Sequence, residues 1–453
     1  MLRSFIRRRL TIPLLTRRDG LDYPRYLDPL RRELALVADP AAREAFQVRR
    51  AAAVISHAYE HSPFHREHFD AHGFHPSRFR DLRDLALVPV FEKHHIPGRQ
   101  DRIRARDHDP AGLVPTCTGG TTGNAFSFWY DRECFARRHA LTLLANEAYG
   151  WRPGDPVAYV WNAHQDLPSA APPWKRRLRT LLAGRELSID ASRIDEERLA
   201  RWSRQLSETR IEILYGYAHS LRAVAEYCLA AGIVLPRVRL VVSTAEPLFA
   251  ADRRLMEQAF GCPVRDRYLS REHGPMAQED ADGNLRYFAN SVLLEVRAET
   301  GAAGDLLVTD FWNAAFPFVR YRIGDTCRLA AGAAGEPGLP RLGGLTGRDT
   351  DFLVTADGGR VSGMAFHDAF FNHATQAFGT DDFLKVQFVQ EAPLRVRVRC
   401  VPGPSFARER VFADLERLVH RLLGAPMEVI CEEVPEIAHT ASGKYRFTVN
   451  SIG

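Results

Sequence analysis

Nowhere in its 453 residues does the chain hold about twenty consecutive uncharged apolar residues, so no segment reads as spanning a membrane. The start, Met1 to Arg18, interleaves Leu2, Phe5, Ile6, Leu10 and Leu14 with Arg3, Arg7, Arg8, Arg9, Arg17 and Arg18. It lacks the continuous apolar core and small-residue cleavage site of a secretory signal, and a cytoplasmic protein is expected. This basic stretch reads as an ordinary surface helix, with weak association with an anionic membrane surface as the alternative. Close cysteine pairs are also missing. The seven cysteines stand at 117, 134, 228, 262, 327, 400 and 431, which excludes a zinc ribbon or a redox motif and leaves scattered reduced thiols. Charge of one sign is scarce: Lys and Arg number 61 against 56 Asp and Glu, a surplus of +5 spread along the chain, so no nucleic-acid partner is expected. Internal repeats and low-complexity tracts are absent too.

What is present suffices for two or three domains, with a hydrophobic fraction of 45%. Asp28 to Phe69 reads as helices, with helical apolar spacing in Ala42 to Tyr59. From Pro97 to Tyr321, buried-looking runs at Val157–Trp161, Ile211–Leu214 and Arg239–Ser243 alternate with helical stretches such as Arg198 to Leu206 and Ser220 to Ala231. That alternation predicts an α/β domain on a largely parallel sheet. Ala330 to Leu345, rich in Gly, Ala and Pro, reads as a loop leading to a boundary. Beyond it a hairpin around Asp357-Gly-Gly, a helix over Met364 to Phe378, strands at Phe383–Val389 and Leu394–Val401, a helix over Arg408 to Leu423 and a strand at Met427–Glu433 make a small α+β domain. The expected fold is therefore α/β, with a large multi-sheet N-terminal domain over 1–347 and a small mobile α+β C-terminal domain over 348–453.

The sharpest local feature is Thr116-Cys-Thr-Gly-Gly-Thr-Thr-Gly123. Its glycines expose backbone N–H groups and its threonines add hydroxyl donors, which is what polyphosphate oxygens need; a structural turn has the same composition. No Gly-Lys-Ser/Thr closes it, so it is not a Walker A loop. Five further stretches follow in order: Ser243-Thr-Ala-Glu-Pro247, Tyr268-Leu-Ser-Arg-Glu-His-Gly274, Tyr321-Arg-Ile-Gly-Asp325, Gly347-Arg-Asp-Thr-Asp351 and Ser442-Gly-Lys-Tyr-Arg446. Taken one at a time, Asp325 reads as a turn residue, Arg348 as half of a surface ion pair, Glu272 as a solvated acid and Lys444 as a tail charge.

Taken together and in order, the six resemble the core motifs of the adenylate-forming superfamily, most closely its phenylacetate-CoA ligase and CapK-like branch, over about residues 110 to 450. The resemblance implies ATP-dependent activation of a carboxylic acid to an acyl-AMP with loss of pyrophosphate, a step in which phosphate charge must be neutralised and the reactants positioned. It implies that Thr118, Gly119, Gly120, Thr121, Thr122 and Gly123 cradle the β- and γ-phosphates. Ala245, Glu246, Pro247 and Tyr268 would shape the adenine pocket, with Ser270 and Arg271 beside Glu272, whose carboxylate would hold Mg²⁺. Asp325 would accept both ribose hydroxyls, Arg348 would add positive charge at the domain junction, and Lys444 would bridge the carboxylate and the α-phosphate. The small domain would rotate about Gly347 to Asp351 between the two half-reactions.

The chain departs from the family pattern in places. Asn124, Ala125 and Phe126 follow the loop where Pro and a basic residue are usual, so the basic phosphate contact of the family pattern has no counterpart there. Thr350, with Asp351 beside it, stands at the hinge position. Arg271 and His273 around Glu272 point to a polar or charged acid, and Trp161, Asn162, Ala163, His164, Tyr215, Tyr217 and His219 are candidate pocket residues. Coenzyme A is one acceptor, as in phenylacetate-CoA ligases; an amine or a sugar, acylated without coenzyme A, is the alternative. A non-catalytic nucleotide-binding relative is the second alternative.

Overall fold

The amino-terminal helices begin where the sequence caps them. Asp39 accepts a hydrogen bond from the Ala42 N–H (2.8 Å) and Pro40 opens the helix Pro40–His61; Ser62 and Pro63 do the same for Pro63–Ala71. Phe46, Ala51, Ile55 and Ala58 fall on the buried face of the longer helix, as their spacing predicts. A computed structural model describes residues 10–18, 22–117, 126–161, 186–191, 194, 196–235, 237–246, 248–297, 304–327, 337–343, 345–348, 352–356, 360–362, 383–403, 406–437 and 446–452. The chain divides into two units, Met1–Arg297 with Leu306–Ile323 and Leu329–Gly343, and Ala298–Asp305 with Gly324–Arg328 and Gly344–Gly453.

The larger unit is built on a seven-stranded sheet in the order Leu285–Tyr287, Gly274–Glu279, Val264–Ser270, Leu240–Thr244, Ile213–Tyr217, Val157–Trp161, Glu186–Asp190. The last five are parallel and the first two are antiparallel additions. Ile213–Tyr217 and Leu240–Thr244 are buried at every position, because both faces of the sheet are covered. On one face Leu214, Leu221, Val224, Val241, Met256 and Phe260 pack with the helices Ala218–Ala230 and Ala250–Phe260; on the other Trp151, Tyr215 and Val242 form a smaller, more aromatic cluster. Gly216 is required by close approach: a Cβ there would stand 2.3 Å from the Val160 carbonyl oxygen of the neighbouring strand.

A second sheet runs Phe91–Glu92, Tyr321–Cys327, Gly304–Asp310, Val292–Arg297, with Thr346–Arg348 paired to Tyr321–Cys327. Residues 337–343, expected as a loop near a boundary, are tied to the larger unit. Arg43 donates to the Gly338 carbonyl (2.8 Å), Arg286 to the Leu339 carbonyl (2.7 Å), and the Leu342 N–H to the Leu285 carbonyl (2.8 Å).

In the smaller unit Phe383–Ala392 lies between antiparallel Arg395–Pro402 and parallel Thr448–Asn450, and Glu428–Glu433 pairs parallel with Arg395–Pro402. The helix Arg408–Leu423 buries Val411, Leu415, Leu418 and Val419 in one cluster with Val386, Phe388, Val396 and Val398. The hairpin Phe352–Val354 and Arg360–Ser362 is present, and the Gln390 side chain exchanges two hydrogen bonds with the Val354 backbone (2.6 and 2.8 Å). The helix expected over Met364 to Phe378 lies outside the described residues.

Candidate active site

In an open parallel sheet the carboxyl ends of the strands, where loops leave toward the following helices, form the ligand-binding edge. Here Trp161, Tyr217, Thr244 and Ser270 end four of the strands. Trp161 stacks on Tyr215 with centroids 5.6 Å apart at 10°, and meets Tyr217 edge-on at 4.9 Å and 70°. The three rings make an aromatic wall on one side of this edge.

Ala245, directly after its strand, takes φ +67°, a left-handed turn uncommon for a side-chain-bearing residue, and Glu246 follows it half-buried. Just before them the Ser243 hydroxyl is fully buried with no hydrogen-bond partner among the described residues, an unmet polar group at the strand end.

Tyr268 and Ser270 lie on the strand that turns back through Arg271, Glu272 and His273 into Gly274–Glu279, with Ser270 opposite Gly274. The turn is tightly specified. The Ser270 hydroxyl accepts from the His273 N–H (3.1 Å), the Tyr130 hydroxyl donates to the Arg271 carbonyl, and Arg138 donates to the Glu272 carbonyl (2.6 Å). Gly274 has φ +69°, and a Cβ there would come 2.9 Å from the Arg138 Cδ. Burial pushes the Tyr130 phenol up to about 12, so its O–H remains a donor at any working pH.

Beneath the turn lies a buried ionic group. Arg138 (6% exposed) pairs with Asp310 (2%), and the Nδ1 of His273 (1%) is 3.3 Å from the same carboxylate oxygen. The other Asp310 oxygen accepts from the N–H groups of Trp312 (2.8 Å) and Asn313 (3.2 Å). Burial works to raise this carboxyl, but Arg138 and His273 outweigh it and hold it below the usual carboxylate range, so it is ionised. Glu272 thus has its backbone fixed from below while its side chain remains half-exposed. A single half-exposed carboxylate on a rigid turn fits Mg²⁺, which keeps its waters and is held by one or two carboxylates together with phosphate oxygens.

In the smaller unit Asp325 and Arg348 are opposite one another as Cα partners across an antiparallel pair, with a bulge between Asp325 and Thr326. Residues 23 positions apart in sequence, both expected at the nucleotide, are therefore neighbours in space. The expected phosphate stretch bridges the paired ends Cys117 and Ser127 of the hairpin Val114–Cys117 and Ser127–Tyr130. Thr118, Gly119, Gly120, Thr121, Thr122 and Gly123 themselves, with Pro247, Thr350, Asp351, Lys444, Asn162, Ala163, His164 and the side chains of His219 and Arg348, lie outside the described residues.

His273, expected beside Glu272 to point to a polar or charged acid, instead turns inward onto Asp310 and Phe318 and is buried, so it carries no information on the charge of the acid. Arg138 and Asp310 were missed altogether.

Residues 353–451 match the family model of the CapK C-terminal domain. Protein CapK of Staphylococcus aureus is 26% identical over 380 residues, 82% of this chain and 81% of that protein. Over most of its length the chain is thus similar to CapK and to phenylacetate-CoA ligases. Phenylacetate-coenzyme A ligase of Escherichia coli (strain K12) is a further relative, 27% identical over 333 residues, 69% of this chain and 72% of that one. The fold agrees: a 2-hydroxyisobutyryl-CoA ligase in its postadenylation state, in complex with R3-HIB-AMP, superposes with a TM-score of 0.70 at 19% identity, covering 93% of this chain and 91% of that one. No helix among the described residues is long and apolar enough to cross a membrane.

Proposed function

We propose that this protein is an AMP-forming acid ligase that works in the cytoplasm. The carboxylate oxygen of a small acid attacks the α-phosphorus of ATP, the bond to the bridging oxygen breaks, and pyrophosphate leaves. A thiol, that of coenzyme A, then attacks the acyl carbon and AMP departs with the bonding pair. The observation that carries the reading is the turn Arg271–His273, which presents Glu272 at the carboxyl edge of the parallel sheet on a backbone fixed by Arg138, Tyr130 and Ser270.

Within this reading Mg²⁺, when bound at Glu272, neutralises charge on the leaving phosphates. Thr118 to Gly123 would hold the β- and γ-phosphates, Ala245 to Pro247 with Tyr268 the adenine, and Asp325 the ribose, with Arg348 adding positive charge. Lys444 would hold the entering carboxylate against the α-phosphate from the C-terminal domain over 348–453, which would swing away before transfer. The wall of Trp161, Tyr215 and Tyr217 favours an aromatic acid, as the name of the Escherichia coli relative does.

Incubating the protein with ATP, Mg²⁺ and phenylacetate or other aryl acids, with and without coenzyme A, tests this. Thioester should appear only with coenzyme A present. AMP release that needs an amine or a sugar instead would favour acyl transfer without coenzyme A. That second reading is supported by the CapK C-terminal match and the 26% identity to CapK.

A further inference from the structure

We propose that His57, Asp107 and His108 form a site for a divalent transition-metal ion, zinc by their chemistry, at the end of the helix Pro40–His61. The His57 Nε2 is 3.0 Å from one Asp107 oxygen, and the His108 Nδ1 is 2.8 Å from the other. One ligand atom from each residue lies within 4.8 Å of the others. In a tetrahedral zinc site with bonds of roughly 2.0–2.1 Å, donors stand about 3.3 Å apart, so small side-chain rotations would bring these three into place. His61, one helical turn after His57, has its Nε2 3.9 Å from the same Asp107 oxygen and is the available fourth ligand.

Two bonds outside the cluster hold the two halves together: the Arg106 N–H donates to the His61 carbonyl (3.0 Å) and the Ser62 hydroxyl to the Arg102 carbonyl (3.3 Å), while the Ala105 N–H anchors the second half on the Ala315 carbonyl (2.9 Å). The donor set is thus preorganised rather than gathered by the ion. The side chains are 22–36% exposed, which leaves an entry path from solvent. Imidazoles with one carboxylate suit zinc or its borderline neighbours better than Mg²⁺ or Ca²⁺, which take oxygen ligands. The bound ion would cross-link the helix to the segment leading into Val114–Cys117, and so to the Gly/Thr-rich stretch, as a structural clamp.

The test uses full-length protein without a histidine tag, stripped with chelator and titrated with ZnCl2 by calorimetry, with cobalt(II) absorption as a spectroscopic readout. One equivalent should bind saturably, raise the melting temperature and, as cobalt, give the intense visible bands of a tetrahedral site. Both His57→Gln/His108→Gln and Asp107→Asn should lose the equivalent while melting cooperatively in chelator. His72→Gln/His94→Gln, in the neighbouring histidine group, should keep it. Absence of saturable zinc binding by the intact protein overturns the proposal. So does undiminished binding by the His57/His108 variant, or loss of binding in the His72/His94 variant.

Discussion

Replacing Asp310 by Asn should disable the enzyme from a distance, because it keeps the shape of the side chain and removes its charge. Arg138 then remains buried without its counter-ion, a situation that costs about 3–5 kcal/mol when one member of a buried pair is removed. In a unit of this size that lowers the melting temperature by on the order of 5–10 °C. Arg138 also donates to the Glu272 carbonyl, so any relaxation toward water moves the turn that carries Glu272. A displacement near 1 Å in a positioned reacting group costs roughly 10²-fold in rate. The expected outcome is a 10- to 100-fold fall in acid-dependent pyrophosphate exchange (about 1.4–2.7 kcal/mol) with a raised Mg²⁺ requirement and little change in KM for the acid. A purely structural role would lower stability without moving the Mg²⁺ dependence. A folded Asp310→Asn protein with unaltered exchange rate and Mg²⁺ titration would refute the positioning role of the Arg138, Asp310 and His273 group.

Further outcomes follow from other contacts. Gly216→Ala should destabilise by about 1–3 kcal/mol in urea melts, because its Cβ would press on the Val160 carbonyl at 2.3 Å; an unchanged midpoint would contradict that packing. Lys444→Ala should lower adenylation about 10²–10³-fold, and an unaltered pyrophosphate exchange rate would remove its assigned role. Asp266 is pushed up to about 7, first by burial and then by Glu279, from an ordinary value of 3.8. A raised acid pKa stabilises the fold at low pH, fully below about 4, and that stability is lost as pH rises through about 7. Asp266→Asn should therefore gain on the parent protein across that window in melts taken against pH, and parallel curves would show the carboxyl is not shifted.

The parts of the fold legible in the sequence are those where one residue pattern has one burial solution. Val411, Leu415, Leu418 and Val419 recur at helical spacing and are the buried stripe of Arg408–Leu423. Val157–Trp161 is a continuous apolar run and a strand with both faces covered. The neighbouring strand, expected from its apolar run at Ile211–Leu214, spans Ile213–Tyr217. Ile211 is buried ahead of the ladder, whereas the Gly-Tyr end, paired with Ser243 and Thr244, does not look apolar. In the site, the pairing of Asp325 with Arg348 was foreshadowed only by motif order, since their spacing alone implies no contact. Arg138 was invisible because an arginine within Arg132–Ala148 reads as a solvated charge, and its partner lies 172 residues away. A faint signal existed: Asp310 closes an apolar strand and is followed by Phe-Trp-Asn, an unusual place for an unpaired acid.

An AMP-forming acid ligase exchanges labelled pyrophosphate into ATP, and here that exchange should require a carboxylic acid and Mg²⁺ together and be abolished in Glu272→Ala. Tight ATP binding with no exchange for any acid, or ATP cleaved to ADP and phosphate, would contradict it.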